Sequence, residues 1–168
     1  KQPAKRHGWS LGIGAALGLA IIGLIAILMQ TPLGGVVEDG GDAVKEKMHH
    51  LGCSKNFLLT AILISVVHAG FEELYWRWFA FGTLRYFPIG IWAHVIAGFA
   101  FAAHHYVILG AYFSHAPWLV GLLGTLVAVG GILWSLLREH TGTLVGSWLS
   151  HMIVDFGIMW VGWRLLNS

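Results

Sequence analysis

Charge is what this sequence has least of: only 11% of its 168 residues are Asp, Glu, Lys or Arg. A soluble domain of this size carries about a quarter of its residues charged, so a fully water-facing surface is excluded. The charge that exists is nearly balanced, at a formal +2, and no basic run extends beyond Lys1, Lys5 and Arg6. Nucleic-acid binding therefore has no electrostatic footprint, and no nucleic-acid partner is expected. A single cysteine, Cys53, rules out an internal disulfide framework. No serine stands in a G-x-S-x-G context and no H-E-x-x-H occurs, which removes the nucleophile elbow and the standard zincin helix. Internal repeats are also missing.

What is present is apolar. Hydrophobic residues make up 57% of the chain and the mean hydropathy is +0.71. They come in blocks long enough to cross a bilayer, which takes roughly 20 helical residues. The expected fold is all-α, a polytopic transmembrane bundle of about five spans in one domain over 1–168, with the lipid bilayer as its surroundings. The spans are placed at 11–29, 57–87, 89–110, 118–137 and 143–166. The first is read as a retained helix, because it exceeds a signal-peptide core and no small-x-small cleavage site follows. Span two is too long for a bilayer, so it tilts, bends near Gly70 or Gly82, or ends before Pro88. Glycines at 121, 124, 130 and 131 suit span four to close helix packing. Residues 30–56 form the polar loop, within which 42–51 reads equally well as an interfacial helix or as solvated chain. Lys1, Lys5, Arg6, Arg85 and Arg138 fall on the side of the N-terminus, which makes that side cytoplasmic by the positive-inside rule. Nine tryptophans, several near span ends, fit an interfacial belt.

Against this background the ionisable residues inside the spans stand out: His68, Glu72, Glu73, Arg77, His94, His104, His105, His151 and Asp155. Such groups cost several kcal/mol at bilayer depth and are rare unless they function. One isolated pair would be explained as a structural contact. Two adjacent glutamates, an arginine and several histidines in so short a chain favour a site. Glu73 and Arg77 are i and i+4 and share a helix face, whereas Glu72 points about 100° away, with His68 one turn before it. His151 and Asp155 are again i and i+4. His94 reads as a packing polar group, and His7, His49, His50, His115 and His140 as interfacial or solvated.

Depth shows that these clusters can meet. Counted from Pro88, Glu72 and His105 lie about 24 and 26 Å along their helices, while His151 and Asp155 lie about 16 and 22 Å beyond His140. A carboxylate beside a histidine can take a proton from water, and a second histidine can donate to a developing oxyanion. Hydrolysis of an amide needs those parts. Intramembrane Glu, His and Arg also build proton relays, so a proton-coupled carrier or channel is the alternative from another class.

Three motifs carry a family resemblance: Glu72-Glu73-Leu-Tyr-Trp-Arg77 as E-E-x-x-x-R, Phe101-Ala-Ala-His-His105 as F-x-x-x-H, and His151-Met-Ile-Val-Asp155 as H-x-x-x-N/D. In that order, each on its own apolar helix, they resemble the CAAX-protease and bacteriocin-processing (CPBP, or Abi) family of intramembrane proteases, which includes the type II CAAX prenyl endopeptidases. The resemblance covers the chain from about Phe57 onward. It implies an intramembrane endopeptidase of a bacterial cytoplasmic membrane, acting on a membrane-anchored peptide or protein. Glu72 with His105 would activate water, Glu73 and Arg77 would hold the helix and its charges, and His151 with Asp155 would stabilise the oxyanion. His104 competes with His105 through adjacency. Asp155 stands where Asn is commoner, so it must be protonated, paired with His151 or Arg77, or act as a ligand. The resemblance implies no cofactor in its glutamate-type form. A zinc-dependent form would use Glu72, His105 and His151. An inactive immunity or scaffold member is the remaining alternative.

Overall fold

The computed structural model describes residues 3–50 and 52–167, with backbone alone for 3–5. Lys1, one of the charges used to orient the chain, lies outside the described residues, as does the side chain of Lys5. Helix α1 spans Pro3–Leu28, followed by the short α2 (Pro32–Asp39) and α3 (Gly41–His50). The long helices are α4 (Phe57–Leu84), α5 (Trp92–Tyr112), α6 (Pro117–Thr141) and α7 (Val145–Asn167). No strand occurs among the described residues, and the protein is an all-α membrane helix bundle.

Helices α1, α4, α5 and α6 are long and apolar enough to cross a membrane. At 23 residues α7 has the length but not the hydropathy, because it carries Ser147, Ser150, His151 and Asp155. The first three of these are buried in the bundle, so they are hidden from lipid. It runs parallel to α1 at close range: a side-chain carbon on Gly14 would strike the Gly146 backbone, one on Gly18 would meet Ser150 and Ile153, and one on Gly157 would strike Ile22. The place of α7 in the bundle is therefore set by packing rather than by composition.

Helices α5 and α6 are antiparallel and also interlock through glycine. Gly98 faces Ala128 and Ile132, Gly124 receives the Tyr106 ring, and Gly131 sits against Phe101 and Arg77. This is the small-residue logic of membrane bundles, where close backbone approach and polar contacts replace the hydrophobic drive. The exterior agrees with that solvent, since Leu19, Ile27, Phe71, Trp78, Val107 and Ile158 point outward. The interior mixes apolar residues such as Phe81, Phe101 and Leu119 with polar groups, including Ser10, Glu73, Arg77, Ser135 and His151.

Several expected boundaries move. Residues 30–56 are not one loop. Thr31 caps α2 by accepting from the Leu33 amide, with Pro32 in the first turn. Leu33, Val36 and Val37 then dock on Phe113, Ala116 and Leu119. Helix α6 runs on through Thr141, so Arg138 and His140 lie in its last turn rather than in a connection, and Gly142 at φ +72° ends it in the left-handed region. Span two ends at Leu84, before Pro88, and residues 85–91 form a turn containing Gly90 at φ +54°.

Candidate active site

Helix α4 supplies the carboxylates, and its backbone is irregular around them. Two π-helical stretches, Leu63–His68 and Leu74–Ala80, flank the α-helical turn Ala69–Glu73. Wide turns of this kind re-aim side chains and occur frequently at functional sites. Glu72 and Glu73 lie on this turn and are both buried.

Glu73 and Arg77 form the sealed part. Arg77 Nη1 lies 3.2 Å from Glu73 Oε1, with both side chains almost inaccessible. The pair is a charge contact too oblique for a hydrogen bond, and Glu73 Oε2 and Arg77 Nη2 also lack hydrogen-bond partners among the described residues. The guanidinium instead lies against two aromatic rings, 4.2 Å from the Phe101 ring centre and 4.9 Å from that of Trp134. His151 completes this layer. Its Nδ1 is 3.0 Å from Glu73 Oε1, and its ring stacks on Trp134 with centroids 4.2 Å apart. Trp134 is itself fixed by donating Nε1–H to Ser150 Oγ at 2.9 Å. One nitrogen of His151 is thus committed to Glu73, which leaves Nε2 to face the reacting space.

Glu72 forms the open part. His151 Nε2 lies 3.6 Å from Glu72 Oε2 and 3.6 Å from Asp155 Oδ1. His104 Nε2 lies 3.1 Å from Glu72 Oε1, and His68 Nδ1 lies 3.5 Å from Oε2. Accessibility separates two layers: the side chains of Glu73, Arg77 and His151 are at most 3% exposed, whereas Glu72 is 10%, Asp155 16%, His104 39% and His68 60% exposed. Glu72 thus opens outward past His104 and His68. An apolar groove of about 400 Å³ runs alongside, between α4 and α7, lined among others by Val67, Phe71, Leu74, Val145 and Trp148 with Glu73 at its edge.

Six sequence-selected residues, Glu72, Glu73, Arg77, His104, His151 and Asp155, are brought together. His105, preferred by strict motif spacing, is placed differently. Its Nδ1 is 3.3 Å from the Phe101 carbonyl, its ring lies 4.0 Å from that of His104, and it makes no ion pair with Glu72 among the described residues. The zinc set Glu72, His105 and His151 is not assembled as ligands: among the described residues no three His, Cys, Asp or Glu are arranged to hold one ion. Sequence reasoning missed Trp134 and Ser150, which belong to no motif. Helical spacing already placed His68 next to Glu72.

A stretch covering residues 54–157, from just before α4 into α7, matches the family model described as type II CAAX prenyl endopeptidase Rce1-like. The chain belongs to this family. Membership makes it a CAAX-type intramembrane protease at the family level, and an integral membrane protein. All three motifs, with Glu72, Glu73, Arg77, His105, His151 and Asp155, fall inside the matched stretch, and α1 falls outside it. No curated protein and no solved structure matches the chain.

Proposed function

We propose that this family member is an endopeptidase that cuts a membrane-associated peptide or protein with water activated at Glu72. The observation that carries the reading is the convergence of His104, His151 and His68 on one partly accessible carboxylate, backed by the sealed Glu73–Arg77 layer.

In this reading Glu72 takes a proton from water as its oxygen attacks the carbonyl carbon, while His104 orients the carboxylate and the water. The carbonyl oxygen becomes an oxyanion near His151 Nε2. Glu73 accepts from Nδ1–H, and donation from Nε2 to the oxyanion then uses the doubly protonated ring, whose charge the Glu73 carboxylate balances. Asp155 helps as a donor when protonated, since an ionised carboxylate would repel the oxyanion. The C–N bond then breaks as Glu72 returns its proton to the leaving amine, giving a new carboxylate and a free amine. The apolar groove beside Glu73 gives a lipid-embedded chain a lateral approach.

Cleavage of a membrane-anchored test peptide in proteoliposomes checks this. Glu72→Gln is expected to lower kcat by about 10²–10⁴-fold, the usual span for a positioned general base, with wild-type activity resistant to metal chelators. Undiminished cleavage by Glu72→Gln would overturn the reading.

A further inference from the structure

A second polar cluster lies at the other end of these helices, away from the carboxylate layer. His94 is buried and makes two contacts: Nδ1 with Ser135 Oγ at 2.7 Å and Nε2 with Glu139 Oε2 at 3.0 Å. Ser135 is also buried and donates to the Ile132 carbonyl at 2.8 Å, so it is no nucleophile. The string braces α5 against α6 and forms one wall of a cavity of about 310 Å³ whose lining includes Phe81, Arg85, Ile91 and Leu136.

Position and charge point to a ligand. The cavity opens where α4 ends, α5 begins and α6 ends, at the membrane-surface end of the bundle. Exposed Tyr86 and Trp92 flank it, as aromatic residues do at headgroup level. Arg85 lines the cavity, and Arg138 stands one residue before Glu139 of its wall, with its Nε buried and without a hydrogen-bond partner among the described residues. Glu139, the acidic group on the wall, is engaged by His94. Two arginines thus concentrate positive charge at this end of α4 and α6 with one donor unused, and an anion would balance that charge. Apolar Phe81, Ile91 and Leu136 beside the charge suit a molecule with a hydrocarbon end. Basic pockets between helix ends at a membrane surface bind lipid headgroups in this way.

We infer that this cavity holds the phosphate of an anionic phospholipid, with Arg85 as its principal contact and Arg138 as the supporting charge. The site is independent of the peptidase reading. The experiment uses the full chain in phosphatidylcholine vesicles doped with spin-labelled phosphatidylglycerol or spin-labelled phosphatidylcholine, and reads relative affinity from tryptophan quenching. Phosphatidylglycerol is expected to bind preferentially. Arg85→Gln should reduce that preference about fivefold, the worth of one arginine at a membrane surface. Glu139→Gln should increase it, a change of opposite sign that a folding defect would not produce. Arg164→Gln, at the other end of the bundle, should leave it unaltered. Equal affinity for the two lipids, or an unchanged preference in Arg85→Gln, overturns the inference. Displacement of the lipid by inorganic phosphate alone also overturns it, by making the cavity a site for soluble anions.

Discussion

The two histidines at 104 and 105 divide the motif from the geometry. Adjacent helical residues point about 100° apart, so only one can face Glu72, and the choice depends on how α5 is rotated about its axis. That rotation is set by Gly98 and Gly131 interlocking with α6, and the aim of Glu72 is set by π-turns in α4. Neither is visible as a residue pattern, which explains why motif spacing selects His105 while the structure puts His104 on the carboxylate. His104→Ala is therefore expected to lower kcat about 10–100-fold with little change in KM, and His105→Ala to cost less than tenfold; steady-state kinetics on the same peptide decide between them. The charges themselves were legible, because an ionised group in an apolar run needs a reason. Glu73 and Arg77 show what that reason is. Arg77→Met leaves a buried carboxylate with one partner fewer and should destabilise the fold by about 3–5 kcal/mol. Adding Glu73→Gln should restore much of that stability, since a buried pair replaced as a pair costs far less than a broken one. Activity should stay low in the double variant, because His151 has then lost the carboxylate that holds its Nδ1. Thermal unfolding in detergent and peptide cleavage measure the two effects separately.

Long apolar runs place the principal helices without help, since span length is fixed by bilayer thickness. What they do not show is which helices touch. The glycines of α6 announce close packing, yet the matching contact between α1 and α7 rests on Gly14, Gly18 and Gly157, which are scattered through ordinary apolar sequence. Gly14 faces the backbone of Gly146, where no flexible side chain can yield. Gly14→Val should force the two helices apart and cost about 1–3 kcal/mol, as overpacking does in a close-packed interior. Gly12→Val, two residues earlier on the same helix with open space around it, should be nearly neutral, and paired melting curves check the contrast. The short helices were harder to read. Thr31-Pro32 is a start signal for α2, but the segment is helical in place because Leu33, Val36 and Val37 find Phe113 and Leu119, a contact no local window contains.

For the molecule as a whole, an apolar exterior encloses a core that holds polar groups among its apolar ones, and α1 has a particular part in sustaining it. The family match begins at residue 54, which would allow α1 to be regarded as an appendage. The packing argues otherwise. Ser10 is fully buried, donates to Thr141 Oγ1 at 3.2 Å and accepts from the Gly146 amide at 3.1 Å. It thereby ties the end of α6 to the first turn of α7, where backbone N–H groups have no partner within the helix. Below that point α1 shields α7, the long helix with too many polar residues to face lipid alone. His151 and Asp155 sit on α7, so their alignment with Glu72 depends on a helix that α1 holds in register. A chain lacking residues 1–28 should still insert α4 to α6 but lose a uniquely placed α7. The expected outcome is a lower and broader thermal transition by tryptophan fluorescence and loss of peptide cleavage. Ser10→Ala in the full chain should reproduce a small part of the stability loss, about 1 kcal/mol for an abandoned cap, with cleavage largely retained. If the truncated chain melted and cleaved like the full one, the order of α7 would have to come from α4 and α6 alone.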